Sequence, residues 1–323
     1  MQLEFPGFFD LQVNGFAGVD FNEPCRPEQL HHAIAAMRAT GVTQCLPTII
    51  TSSREHFASC VRPLLHFADS AIAGIHLEGP YISPLDGARG AHPQAHVRGA
   101  SIEDFKYRQD AAEGRIVLVT LAPEVPNALA LIEYLAGANI KVAIGHTAAT
   151  PEQIRDGINA GATLSTHLGN GCANLLPRHP NFIWEQLAAD ELCASLIVDG
   201  HHLPAATVKA MVRVKTPART ILVTDAMAAA GCAPGIYTIS GMQVELHPSG
   251  RVAAPGAANL AGSSLALHNA VANTVRFTGL PLAEVLPMAS AQPANYLGFD
   301  PIGTVIADWD EANYALTVIT VVS

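Results

Sequence analysis

The stretch Ile75-His-Leu-Glu-Gly-Pro80 decides how the chain is read. An apolar run from Ala71 leads into His76 and Glu78, and Gly79-Pro80 stops it. The pattern is that of a buried strand whose carboxylate emerges at the C-terminal end, beside a break that frees it from the sheet. A carboxylate so placed can hold a metal ion or a proton. Three later stretches repeat the form. Val142-Ala-Ile-Gly-His-Thr147 ends in His146, Leu164-Ser-Thr-His-Leu168 carries His167, and Ile221-Leu-Val-Thr-Asp-Ala226 leads to Asp225.

Working outward, eight short apolar strands are predicted, over residues 8–13, 42–51, 72–77, 116–122, 141–146, 164–168, 194–198 and 221–224. Helices are predicted over 27–40, 54–68, 127–136 and 151–159. Pro27 suits a first turn, Gly41 a stop, and Thr150 an N-cap. Strands alternating with helices point to an α/β fold, a parallel (β/α)8 TIM-like barrel. Such barrels carry their chemistry at the C-terminal strand ends. Those ends hold Gln12 and Asn14, Glu78, Glu124, His146, His167, Asp199 with His202, and Asp225.

Two segments fall outside the alternation. Residues 235–253 alternate around Pro248-Ser-Gly250 and predict a β-hairpin inserted after the eighth strand, at about 235–254. Residues 264–278 and 282–297 predict two further helices, and 302–322 is strand-like. The expected organisation is a barrel over residues 1–300 with a short tail at 301–323.

Composition narrows the partners. Among 323 residues, 49% are hydrophobic and 14% charged, enough for a large core. A net charge of −10 without a basic cluster argues against a nucleic-acid partner. Six cysteines without CxxC spacing read as reduced thiols of a cytoplasmic protein. The N-terminal residues lack the basic region and apolar run of a signal peptide, and no apolar stretch reaches the roughly 20 residues of a membrane span.

Glu78, His146 and His167 suit one divalent metal, since two imidazoles and a carboxylate leave a position open for water. The bland alternative is three unrelated polar residues at strand ends. Asp225 can move a proton beside that water, or simply cap a helix. His92, in Gly90-Ala-His-Pro93, can donate to a developing oxyanion or face solvent, and His202 is equally open. Asn170, in Gly169-Asn-Gly171, can be a turn residue, and Arg178 can bind an anion or face solvent. The remaining histidines, including His31 and His32, read as surface residues.

The chain also resembles the N-acetylglucosamine-6-phosphate deacetylases of the amidohydrolase superfamily. The resemblance rests on Pro6-Gly-Phe-Phe-Asp-Leu-Gln-Val-Asn-Gly15, His76-Leu-Glu-Gly-Pro80, Gly145-His-Thr147 and Thr166-His-Leu168 with Asn170. It continues through Asp199-Gly200 with His202, Leu222-Val-Thr-Asp-Ala-Met-Ala-Ala-Ala-Gly231 and Leu260-Ala-Gly-Ser263. It implies a barrel of the metal-dependent amidohydrolase type. Its reaction is hydrolysis of the acetamide of an N-acetylated amino sugar, foremost N-acetylglucosamine-6-phosphate, to acetate and glucosamine-6-phosphate. Glu78, His146 and His167 would bind one divalent ion, zinc first, with iron, cobalt or manganese as alternatives. Asp225 would be base and then acid, and His92 would steady the oxyanion. Asn170 and the backbone near Gly171 would hold the sugar, with His202 near its hydroxyls or phosphate. Arg178 would meet the phosphate, often across a homodimer interface.

Three departures stand out. Gln12-Val-Asn14 replaces the His-x-His found in many amidohydrolases on the first strand, which favours one metal over two. Arg178 lies in Leu-Pro-Arg-His-Pro-Asn181 instead of the usual Gly-Arg-Glu-Pro-Gly. The accessory β-sandwich is expected to be absent or reduced to a few strands. Two other readings stay open: an amidohydrolase for a non-phosphorylated N-acyl sugar or other small amide, and a barrel that binds amino sugars without turnover.

Overall fold

A computed structural model describes residues 1–239, 242–257 and 259–322. Eight strands form one parallel sheet in chain order. Numbering the barrel strands alone, they are β1 (Phe8–Val13), β2 (Val42–Ile49), β3 (Ile75–Glu78) and β4 (Ile116–Leu121). They continue as β5 (Lys141–Ile144), β6 (Leu164–Ser165), β7 (Cys193–Leu196) and β8 (Thr220–Leu222). Their residues are almost all buried, as strands covered on both faces must be. Helices α1 (Pro27–Ala39), α2 (Arg54–Leu65), α3 (Ile102–Ala111) and α4 (Ala128–Gly137) connect the first five strands. Helices α5 (Pro151–Ala160), α6 (Phe182–Ala188), α7 (Ala205–Lys215) and α8 (Leu267–Thr278) complete the alternation. Thr150 caps α5 as expected: its hydroxyl accepts the Gln153 N–H, and the Gln153 side chain accepts the Thr150 N–H.

No ladder joins β1 to β8, and side chains and single bonds close that seam. The Asp225 N–H donates to the Gln12 carbonyl at 2.8 Å, and the Asn14 N–H to the Ala226 carbonyl at 2.7 Å. Below them the buried Asp10 carboxylate accepts the Thr224 N–H at 3.2 Å and the Thr224 hydroxyl. Burial pushes the Asp10 pKa up to about 7 despite these bonds.

The strands stop earlier than the apolar runs predict. The segment predicted at 164–168 pairs only over Leu164–Ser165, and that at 141–146 only to Ile144. The cause is backbone geometry: His146, His167 and Asp225 have φ of 51°, 30° and 47°, which ends a ladder. The segment after β8 is larger than a hairpin. Gly235–Ile239, Met242–Leu246, Arg251–Ala253 and Leu260–Ser263 form a four-stranded antiparallel sheet, with Pro248-Ser-Gly250 in its second turn. The fourth strand, Leu-Ala-Gly-Ser, has no alternation by which to read it; residues 240 and 241 of the predicted hairpin lie outside the described ones.

The helix predicted at 282–297 is broken into Leu282–Val285, a 3-10 turn at Leu286–Ala289 and a helix at Ala291–Leu297. Pro287 sits at the break, where it removes a backbone donor. The strand-like tail folds as Thr304–Asp310 and Ala315–Val322. Thr304–Asp310 also pairs with Gln2–Pro6, a strand that sequence reading missed because it is short, half-exposed and ends in proline. The result is a three-stranded antiparallel sheet.

Candidate metal centre and active site

The C-terminal strand ends converge on one buried cluster. Glu78 ends β3, and His146 and His167 follow β5 and β6 by two residues. Glu78 Oε1 lies 3.2 Å from His146 Nε2 and 3.1 Å from His167 Nε2, and the two Nε2 atoms are 3.1 Å apart. The edges of a tetrahedral zinc site run at about 3.3–3.4 Å for bonds of about 2.0–2.1 Å, so this donor set fits a four-coordinate divalent ion. All three residues are buried. Burial works to raise the Glu78 pKa, but hydrogen bonds with His146 and His167 outweigh it and hold the carboxyl well below its ordinary value. At His167 burial favours the neutral ring, and Glu78 reverses that, moving its pKa up.

His146 is aimed by its surroundings. Its Nδ1 lies 3.0 Å from the Ala88 carbonyl, which can only accept, so Nδ1 carries the proton and Nε2 is free to ligate. Two glycines make room for the ring. A Cβ at Gly171 would lie 2.8 Å from His146 Nδ1, and one at Gly90 would lie 3.2 Å from Cε1.

His92 is 4% exposed, which removes its solvent-facing alternative. Its Nε2 is 3.2 Å from His146 Nε2 and 3.9 Å from Glu78 Oε2. Glu78, His92 and His146 thus form a second set of three donors, all within 4.8 Å. Burial drives the His92 pKa well below the ordinary value, with His146 adding to the effect.

Asp225 is bound through Oδ1 by the Asn14 side chain at 2.7 Å. Burial, together with the charge of Glu78, pushes its pKa up to about 6. Gln12 donates to Glu78 Oε1 at 2.8 Å. The two residues that stand in place of His-x-His therefore each hold one carboxylate of the site. His146, His167 and Asp225 are all non-glycine residues at positive φ, a conformation costing on the order of 1–3 kcal/mol and concentrated at functional sites.

Other predicted residues have different settings. His202 Nδ1 sits 2.6 Å from Asp199 Oδ2. Asn170 closes its own turn, its side chain donating to the His167 carbonyl at 3.2 Å. Glu124 is a brace, accepting the Thr147 hydroxyl at 2.6 Å and the Ala148 N–H at 2.7 Å. Arg178 is exposed, and its side chain has no hydrogen bond or ion pair among the described residues. His76 corrects the reading of the remaining histidines as surface groups. It is 1% exposed, with Nε2 2.8 Å from Thr120 Oγ1 and Nδ1 3.1 Å from the Leu11 carbonyl. Burial pushes its pKa down to about 4, so it is a neutral polar plug under the site.

Sequence reasoning passed over Thr51, which stands just past β2 with its hydroxyl 2.8 Å from His92 Nδ1. The strand-end rule that located the other groups also points to Thr51. It was missed because threonine neither titrates nor binds metal.

Comparison with known proteins identifies the family. The model of the Amidohydrolase family matches residues 4–310. An N-acetylgalactosamine-6-phosphate deacetylase of Escherichia coli O157:H7 is 34% identical over 93% of this chain and 80% of its own length. An N-acetylglucosamine-6-phosphate deacetylase of Lysinibacillus sphaericus is 33% identical over 94% and 79%. Among solved structures, an aspartate-to-alanine variant of the Mycobacterium smegmatis N-acetyl-D-glucosamine-6-phosphate deacetylase, in complex with N-acetyl-D-glucosamine-6-phosphate, superposes with a TM-score of 0.89. It is 31% identical, covering 99% of this chain and 86% of that one. No helix of the described residues is long and apolar enough to cross a membrane. On the family model and these identities, the chain belongs to the amidohydrolase family.

Proposed function

We propose that the protein hydrolyses the acetamide of an N-acetylhexosamine-6-phosphate, N-acetylglucosamine-6-phosphate first, releasing acetate and the free amino sugar phosphate. The observation that carries this reading is the Glu78–His146–His167 cluster, its Nε2 and Oε1 atoms 3.1–3.2 Å apart, with Asp225 just past the end of β8 and close enough to feel the charge of Glu78. A bound divalent ion would polarise the amide carbonyl and make water a better nucleophile at neutral pH. The donor set accepts zinc, and also iron, cobalt or manganese.

In this reading Asp225 takes a proton from the attacking water and delivers it to the departing nitrogen, so that no amide anion is expelled. Asn14 holds that carboxylate through Oδ1, leaving Oδ2 for the proton. His92 donates from Nε2 to the carbonyl oxygen as negative charge develops on it. Asn170, the backbone at Gly171 and His202 border the sugar, with Asp199 fixing the His202 ring.

Arg178 is the proposed phosphate ligand. Its exposure, beside Leu175 at 90% and Trp184 at 56%, supports its acting across a homodimer contact on the phosphate held by the other copy. The galacto epimer is a second substrate reading, favoured by the E. coli relative. Asp225→Asn tests the mechanism. It should keep the metal and lose turnover by about 10²-fold or more, whereas near-parental turnover would remove Asp225 from the reaction.

A further inference from the structure

Two sets of three donors share Glu78 and His146, so the cluster alone does not say whether His92 or His167 completes a metal site. Thr51 separates them. Its hydroxyl lies 2.8 Å from His92 Nδ1, and its backbone N–H also donates to that nitrogen, at 3.4 Å. A backbone amide can only donate. A proton on Nδ1 would face that N–H, so Nδ1 is the acceptor and Nε2 carries the hydrogen. The Thr51 hydroxyl has no other hydrogen-bond partner among the described residues, so its proton also goes to Nδ1.

We infer that Thr51 is a positioning residue that locks His92 as the Nε2–H tautomer, making His92 a hydrogen-bond donor to the substrate oxygen and leaving the metal to Glu78, His146 and His167. His146 shows the opposite arrangement: its Nδ1 donates to a carbonyl, so its Nε2 lone pair is free. Two adjacent imidazoles, with Nε2 atoms 3.2 Å apart, are thus set in opposite tautomers by their outer partners.

Thr51 is held to this task from both sides. The Ile50 N–H donates to Asn22 Oδ1 at 2.8 Å, and the Ser52 carbonyl accepts from Arg108 Nη2 at 2.9 Å. Gly79, directly after Glu78, is part of the same device. A Cβ there would lie 2.2 Å from Thr51 Oγ1, so the glycine of the His-Leu-Glu-Gly-Pro string vacates the space that the hydroxyl fills.

This inference rests on the deacetylase reading for its consequence but not for its test. The zinc-loaded protein, labelled with ¹⁵N-histidine, should show His92 with a protonated Nε2 and an unprotonated Nδ1. Protonation of Nδ1, with Nε2 bound to zinc, would overturn the inference whether or not acetate is released. His92→Asn should retain one zinc per chain, and loss of the ion would likewise overturn it. In kinetics, Thr51→Val removes the 2.8 Å donor and leaves only the weaker 3.4 Å amide contact, so it should lower kcat about 10–100-fold, with KM and zinc content near parental, and Thr51→Ser should restore most of the loss. A Thr51→Val variant within twofold of the parent, or a Thr51→Ser variant as impaired as Thr51→Val, would show that the hydroxyl does not set the tautomer. If the parent releases no acetate, the function reading fails, while the spectrum and the His92→Asn zinc content still decide the tautomer.

Discussion

Substituting Gly171 by alanine probes how tightly the proposed metal site is built. The added Cβ would stand 2.8 Å from His146 Nδ1 and 2.9 Å from Cε1. Ordinary contact begins near 3.4 Å, so the ring or the loop must yield by about 0.6 Å. The ring has little freedom. Its Nδ1 is tied to the Ala88 carbonyl at 3.0 Å, its Nε2 lies 3.1–3.2 Å from Glu78, His92 and His167, and Gly90 backs onto Cε1. The new Cβ also meets Cγ at 3.2 Å, so it presses on the face of the ring and pushes it out of line with the Ala88 carbonyl and with the neighbours of Nε2. Gly171 also has φ of 56°, where alanine costs roughly 1–2 kcal/mol.

The expected outcome is a folded protein whose divalent-metal affinity falls about 10–100-fold, the usual consequence of disturbing a ligand's supporting bond. Chelator competition with zinc, read beside the thermal midpoint, separates that loss from unfolding. A Gly171→Ala variant that binds zinc as tightly as the parent would refute the reasoning that His146 is a confined metal ligand.

Three further outcomes follow from the same structure. Asp104 is bound by Arg54 at 2.6 Å, Arg108 at 2.9 Å and Tyr81 at 2.7 Å, so Asp104→Ala leaves the fully buried Arg108 without its counter-charge. Urea unfolding should show a loss of about 3–5 kcal/mol; a loss below 1 kcal/mol would mean the cluster is not coupled. Burial opposes ionisation of Asp104, but its arginine partners hold the pKa down at about 2, so its contribution is present above about pH 4 and fades as pH falls through 2. Asp10 has the opposite sign: with its pKa raised to about 7, its contribution is full below about pH 4 and is lost as pH climbs through 7. The stability of Asp10→Asn relative to the parent should therefore rise between pH 4 and 7, and a flat difference would contradict the raised pKa. Arg178→Ala should raise KM for a phosphorylated substrate at least tenfold and leave that for a neutral N-acetyl sugar within twofold; equal effects on both would free Arg178 from the phosphate.

The barrel was legible because each strand is a short apolar run bounded by turn residues, and the polar groups were visible because they interrupt that pattern at its end. Glu78, His146, His167 and Asp225 could be located on that basis alone. The length of pairing was not legible, since positive φ at His146, His167 and Asp225 is a property of the closed barrel, not of the residue type. His92 sits in a loop, where no period predicts burial, and only the packing of residues 83–92 over His146 takes it out of solvent. Thr51, Gln12 and Asn14 act through hydrogen bonds that cross between strands, and a one-dimensional pattern carries no record of such partners. The fourth strand of the inserted sheet lacks alternation, and Gln2–Pro6 becomes a strand only by pairing with Thr304–Asp310, about 300 residues away in sequence.

The most direct test of the central claim is acetate release by the zinc-loaded protein from N-acetylglucosamine-6-phosphate, its galacto epimer and unphosphorylated N-acetylglucosamine, measured in parallel. The account predicts rapid release from a phosphorylated sugar, slow or no release from the free one, and loss of both on chelation. Release from none of the three, with zinc bound at one ion per chain, would contradict it.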